Sequence, residues 1–171
     1  IHYSRIGIWT VLSPVKFQIG QISAEICPPS LQCLGTKHAD CLEGERLCVR
    51  LLAAVCESQG VAAQYVESTQ LIVTNNNFQN AHPDFGATTF ATRTRLNPLL
   101  LAGIVPIITG FIGATPEGVV TTLGRGGSDY SGAILGAVLP ADDVWIWTDV
   151  DGVMTADPRM VPEARTLPEI S

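Results

Sequence analysis

Residues 104–111 read Ile-Val-Pro-Ile-Ile-Thr-Gly-Phe, an apolar run between Gly103 and a turn-rich stretch, and this pattern narrows the fold more than any other. A strand with one wet face alternates apolar and polar residues. One covered on both faces is apolar nearly throughout, as in a parallel sheet with helices above and below. The flanking segments agree with that placement. Gly44 to Gln59 carries Leu47, Cys48, Leu51, Leu52, Val55 and Cys56 at helical spacing, with Arg46, Arg50 and Glu57 on the other side and Gly60 placed to end it. Ile6 to Leu12, Val61 to Val66, Gln70 to Val73 and Val144 to Thr148 are β-rich runs. Thr92 to Ala102 and Tyr130 to Leu139 are predicted helices, and Pro116-Glu117-Gly118 predicts a hairpin across Gly113 to Val120. Helix and strand alternate, which predicts an α/β fold with a mainly parallel sheet covered on both sides.

Between the hairpin and the helix at Tyr130 lies Thr-Thr-Leu-Gly-Arg-Gly-Gly-Ser-Asp, residues 121–129. An arginine among Gly124, Gly126 and Gly127 has almost no side-chain bulk around it, so an anion can reach both the guanidinium and the main-chain amides. Ser128 and Asp129 can cap the next helix, whose first N–H groups favour negative charge. The stretch suits anion capture. Taken alone, Gly-Gly-Ser-Asp is equally a turn from strand to helix.

Gly-Arg-Gly-Gly-Ser-Asp-Tyr-Ser, followed about twenty residues later by Trp-Thr-Asp-Val-Asp-Gly-Val-Met-Thr-Ala-Asp-Pro-Arg, resembles the aspartate kinase family of the amino-acid kinase superfamily. Glutamate 5-kinase and uridylate kinase carry similar versions of the second motif but differ at the first. The resemblance runs from about residue 44 to 171, so residues 1–43 are a poorly matched segment and 44–171 a portion of the kinase domain. It implies an incomplete three-layer αβα sandwich of the carbamate kinase type. It further implies transfer of the ATP γ-phosphoryl group to the β-carboxylate of L-aspartate, a step towards lysine, threonine and methionine. ATP and Mg²⁺ are the implied cofactors.

By the same resemblance, Arg125 pairs with a substrate carboxylate, and Gly126, Gly127 and Ser128 line that contact. Glu45 meets the substrate's ammonium group, and Asp129 orients a lysine or Mg²⁺ near the transferred phosphoryl. Thr148, Asp149, Met154 and Arg159 fall at nucleotide-contacting positions. Met154 stands where the family often has tyrosine, and Leu42 where it often has serine. The family's opening Lys-Phe-Gly-Gly-Thr-Ser has its nearest echo in Val15-Lys16-Phe17, without the paired glycine, and regulatory ACT domains are not matched. Read without the resemblance, Glu45 is a solvated acid near a helix N-terminus. The alternative functions are those of another superfamily member, such as a glutamate 5-kinase or a nucleoside monophosphate kinase, and of a non-catalytic nucleotide-binding fragment.

Charge and cysteine usage bound the remaining classes. The 171 residues carry a formal net charge of −6 with lysine only at positions 16 and 37, which disfavours nucleic acid as a partner. No apolar stretch reaches the ~18 to 20 residues of a membrane helix, and nothing at the start resembles a secretory signal, so a soluble cytoplasmic protein is expected. The resemblance implies pairing of subunits into a homodimer. Cys27, Cys33, Cys41, Cys48 and Cys56 are odd in number and too widely spaced for Cys-x-x-Cys zinc geometry, which predicts reduced structural thiols and no metal centre. Asp149, Asp151 and Asp157 begin like a calcium loop but lack its later bidentate glutamate. Asn75, Asn76, Asn77, Asn80 and His82 are expected to serve turns.

Overall fold

A computed structural model of the chain describes residues 10–12, 38–146 and 152–167. The order is strand β1 (Thr10–Leu12), helix α1 (His38–Ser58), β2 (Ala63–Val66), a 3-10 turn (Ser68–Gln70), α2 (Phe85–Leu101), β3 (Val105–Ile108), β4 (Ile112–Ala114), β5 (Val120–Thr122), α3 (Gly127–Val138) and β6 (Asp143–Trp145). The Lys16 segment, Cys27 and Cys33 lie outside the described residues.

The parallel pair β2–β3 is the frame, with Ala63 opposite Val105 and Val66 opposite Ile108. Successive strand residues point to opposite faces, so one pair of strands feeds two cores. On one face Ala63, Val105 and Ile107 meet Val49, Leu52 and Ala53 of α1. On the other, Val66 joins Leu71, Ile72, Leu96 of α2, Leu123, and Ile134 and Leu135 of α3. Helix, sheet and helix thus form three layers, and the fold class expected from the alternation holds. Arg93 of α2 ties the outer pair of helices together, its Nε donating to the Val138 carbonyl at 2.8 Å.

The buried face of α1 is not the one the Leu pattern predicted. Leu47, Leu51 and Val55 are 45–47% exposed, while Val49, Leu52 and Ala53 are buried. The segment is apolar around most of its circumference, so periodicity admits two stripes, and contact with β2–β3 selects the one containing residues 45, 49, 52 and 56. Glu45 therefore faces inward. The helix also begins at His38, which moves Glu45 out of its first turn.

Gln70 to Val73 is not a strand. Leu71 and Ile72 give their N–H groups back to the Ser68 carbonyl at 2.9 and 2.8 Å, leaving only a single parallel bridge from Val73 to Ala114. Helix α2 starts seven residues before the expected Thr92, because Asp84 Oδ1 caps it by accepting the Ala87 N–H at 3.0 Å. The predicted hairpin is present: β4 and β5 pair antiparallel, and Gly118 takes a φ of 83° in the turn. Asn75 serves a turn as expected, its Oδ1 accepting the N–H groups of Asn77 and His82 at 3.2 and 3.1 Å.

Helix α3 runs against β6, which pairs antiparallel with β1. A Cβ built on Gly136 would clash with Val144 Cγ2, so the small residue lets helix and strand touch. Gly136→Val is expected to destabilise the fold by about 2–3 kcal/mol, since overpacking and the valine's own helix cost exceed what glycine loses. Urea unfolding monitored by circular dichroism checks this, and an unchanged midpoint would contradict the packing.

Candidate functional site

Strand β3 ends at Ile108, and the next three residues turn the chain beneath the start of α3. Thr109 is buried and anchors the turn, its Oγ1 accepting the Ser68 N–H at 2.9 Å and sharing a 2.8 Å hydrogen bond with the Ser68 hydroxyl. Gly110 follows, and its N–H donates to Glu45 Oε1 at 2.5 Å. Glu45 is only 4% exposed, and burial pushes its carboxyl up to about 7, an effect the Gly110 N–H partly opposes. The reading of Glu45 as a solvated helix-end acid is thereby corrected. It is a buried acid that titrates near neutrality.

Ser128 reaches the same spot from α3. A Cβ on Gly110 would lie 2.9 Å from Ser128 Oγ and 3.0 Å from Glu45 Oε1, so only glycine fits between the two side chains. The structure thus brings together Glu45 of α1, the turn after β3 and the first turn of α3, which are 65 and 83 positions apart at their extremes of sequence. Three elements converge on one glycine.

The start of α3 differs in detail from the expected capping. Gly126 takes the cap position in the left-handed region (φ 67°, ψ 16°) with no side-chain cap, so Ser128 and Asp129 sit inside the first turn. Gly127 is buried, donates its N–H to the Gly124 carbonyl at 3.1 Å and packs on Phe111, whose Cβ would be 2.7 Å from a Cβ there. Its contribution is close packing rather than a free amide. Arg125, between two left-handed glycines, is exposed and makes no hydrogen bond or ion pair among the described residues. Asp129 is exposed as well. The Asn-rich loop borders this region, with Asn80 Oδ1 2.7 Å from the position of a Cβ on Gly124.

The second motif is described from residue 152 onward, so Thr148 and Asp149 lie outside the described residues. Met154 is half-buried and forms an antiparallel bridge with Thr166. Arg159 is exposed, and its N–H donates to Asp157 Oδ1 at 2.9 Å. Among the described residues no three His, Cys, Asp or Glu side chains converge on a common point. Mg²⁺ needs no such cluster, because it takes one or two carboxylates and fills its shell with water and substrate phosphates. The free carboxylate of Asp129 at a helix start fits that donor set.

Sequence reasoning missed Gly110 and Ser131. The Ser131 hydroxyl accepts the Phe111 N–H at 2.8 Å and donates to the Gly127 carbonyl at 2.7 Å. A Thr-Gly-Phe turn after a doubly buried strand was the available signal for the first. Ser131 had none beyond standing at the end of the Gly-rich motif.

Comparison with known proteins adds to this geometry. The amino acid kinase family model matches residues 21–171. An aspartokinase of Schizosaccharomyces pombe is 38% identical over 128 residues, covering 75% of this chain and 24% of its own. Lysine-sensitive aspartokinase 3 of Escherichia coli is 41% identical over 128 residues, covering 75% and 28%. The crystal structure of E. coli aspartokinase III in complex with aspartate and ADP superposes with a TM-score of 0.71 at 39% identity, covering 78% of this chain and 31% of that one. The chain spans about a quarter of the length of the curated relatives it matches. No helix among the described residues is long and apolar enough to cross a membrane.

Proposed function

We propose, from the premise that the chain belongs to the amino acid kinase family, that it carries the acceptor and nucleotide sites of an aspartate kinase. The reaction is transfer of the ATP γ-phosphoryl group to the side-chain carboxylate of L-aspartate, giving 4-phospho-L-aspartate and ADP. The observation that carries the reading is the buried Glu45, held by the Gly110 amide directly beside Ser128 of the Gly-Arg-Gly-Gly-Ser-Asp stretch. Among the described residues the acid has no cation of its own, and an incoming ammonium group supplies one. The relative crystallised with aspartate and ADP supports both substrates.

The acceptor carboxylate is ionised at neutral pH, so its oxygen attacks the γ-phosphorus without a general base and ADP leaves with the electron pair of the broken P–O bond. Catalysis then rests on positioning and on neutralising charge across the transferring oxygens. Arg125 pairs with an acceptor carboxylate, its exposed guanidinium free to take both oxygens. Glu45 holds the ammonium group at the other end, and the Ser128 hydroxyl lines the space between them. These two opposite contacts select an amino acid over a simple dicarboxylate.

Asp129 would hold Mg²⁺, which when bound offsets the negative charge of the phosphates. Thr148, Asp149, Met154 and Arg159 are the nucleotide-side residues in this reading, and residues 44–171 form the corresponding part of the domain. A cytoplasmic setting and paired subunits accompany it.

The test is a comparison of acceptors on the full chain with ATP and Mg²⁺, trapping acyl phosphate with hydroxylamine. Aspartyl hydroxamate is the expected product. A preference for glutamate would replace the acceptor, and ATP binding by calorimetry with no hydroxamate from any acceptor would replace the enzyme by a nucleotide-binding protein.

A further inference from the structure

The two groups of residues assigned to opposite ends of the acceptor are joined by a side chain to which that assignment gives no role. Ser131 lies one turn into α3 and is fully buried. Its hydroxyl is used twice, accepting from Phe111 N–H and donating to Gly127 O, so it bonds the turn after β3 and the start of α3 at once. Phe111 has a φ of 45°, a conformation that non-glycine residues seldom adopt and that surrounding contacts must hold in place. Its carbonyl is fixed from the other side by the Leu123 N–H at 2.9 Å. The peptide preceding Phe111 is the one whose neighbour, Gly110, presents its amide to Glu45. A shift at Phe111 therefore moves the acid relative to Ser128.

We infer that Ser131 is a positioning residue that fixes the distance between Glu45 and Arg125, the two charged anchors on either side of Ser128, and thereby sets the length of amino-acid acceptor the site takes. This rests on the acceptor reading given above. Aspartate and glutamate offer the same charged groups and differ by one methylene. Packing against a single methylene discriminates weakly, by ~10–200-fold. That methylene changes the distance from the ammonium group to the side-chain carboxylate and leaves the distance to the α-carboxylate the same, so discrimination depends on Arg125 taking the side-chain carboxylate at a constant separation from Glu45. The surfaces of Gly127 and Phe111 already touch, so the hydroxyl decides their register rather than whether they meet.

Ser131→Ala and Ser131→Thr in the full chain test this, with kcat/KM measured for aspartate and for glutamate, ATP affinity measured by calorimetry, and amide hydrogen exchange followed at Phe111. The alanine variant is expected to lose about 10- to 100-fold in kcat/KM for the preferred acceptor, to lose less for the other, and to leave ATP affinity unchanged. Phe111 exchanges faster in it than in the wild type, and the threonine variant restores both readouts. An unchanged acceptor ratio with both acceptors reduced equally overturns the inference, because a merely structural role has that result. If the wild type phosphorylates neither acceptor, the functional reading fails. Phe111 exchange then decides the role of Ser131, faster exchange in the alanine variant supporting the link and unchanged exchange overturning it.

Discussion

Arg125→Ala is expected to reduce kcat/KM for aspartate by about thirty- to several-thousand-fold, the range for losing a charged hydrogen-bonding partner that is covered only when the ligand arrives. ATP affinity stays nearly unchanged, since the side chain is assigned to the acceptor. The guanidinium is exposed and unpaired among the described residues, so the fold loses nothing with it and the unfolding midpoint holds. Arg125→Lys recovers part of the loss, because an ammonium supplies the charge without the planar pair of donors. Steady-state kinetics on the three proteins read this directly. Unaltered aspartate kinetics in the alanine variant would remove Arg125 from the site.

Glu45→Gln is expected to act in two opposite directions. It removes the charge that meets the acceptor's ammonium, lowering kcat/KM for aspartate by about a hundredfold or more. In the unliganded protein it stabilises. The folded carboxyl titrates at about 7 against 4.5 for the free side chain, so between those values the native state keeps a proton that the unfolded chain has released. Stability is then greatest below the unfolded value, falls as pH rises through the window, and levels off above 7. Glutamine matches the protonated acid in shape and can still accept the Gly110 N–H. The variant should equal the wild type near pH 4.5 and exceed it by roughly 3 kcal/mol at pH 8. Urea unfolding at both pH values is the measurement, and parallel pH profiles would show that the acid is not buried as described.

The alternation of elements was legible because the apolar run from Ile104 reads as a doubly covered strand, although only Val105–Ile108 is strand and residues 109–111 form the turn after it, and because Pro116-Glu117-Gly118 names its own turn. The Gly-rich stretch was legible for a similar reason, since local backbone chemistry needs no partner to be read. Glu45 was not. Its inward face follows from which of two apolar stripes on α1 meets the sheet, and that choice is made by Ala63, Val105 and Ile107 rather than by the helix itself. Gln70 to Val73 had the composition of a strand, but Ser68 offered its N–H groups a nearer carbonyl. The convergence of Glu45, Gly110 and Ser128 is a long-range property, and no window of sequence contains it.

Helix α3 carries Ser128 and Asp129 at one end and, eight residues on, Gly136 wedged against Val144 at the other. Four positions beyond that wedge the chain arrives at Thr148. At 1.5 Å per residue, the span from Ser128 to Gly136 is a strut of about 12 Å. The acceptor stretch therefore sits at the head of a single stiff member, and strand β6, which precedes the second motif in the sequence, is seated on its shaft.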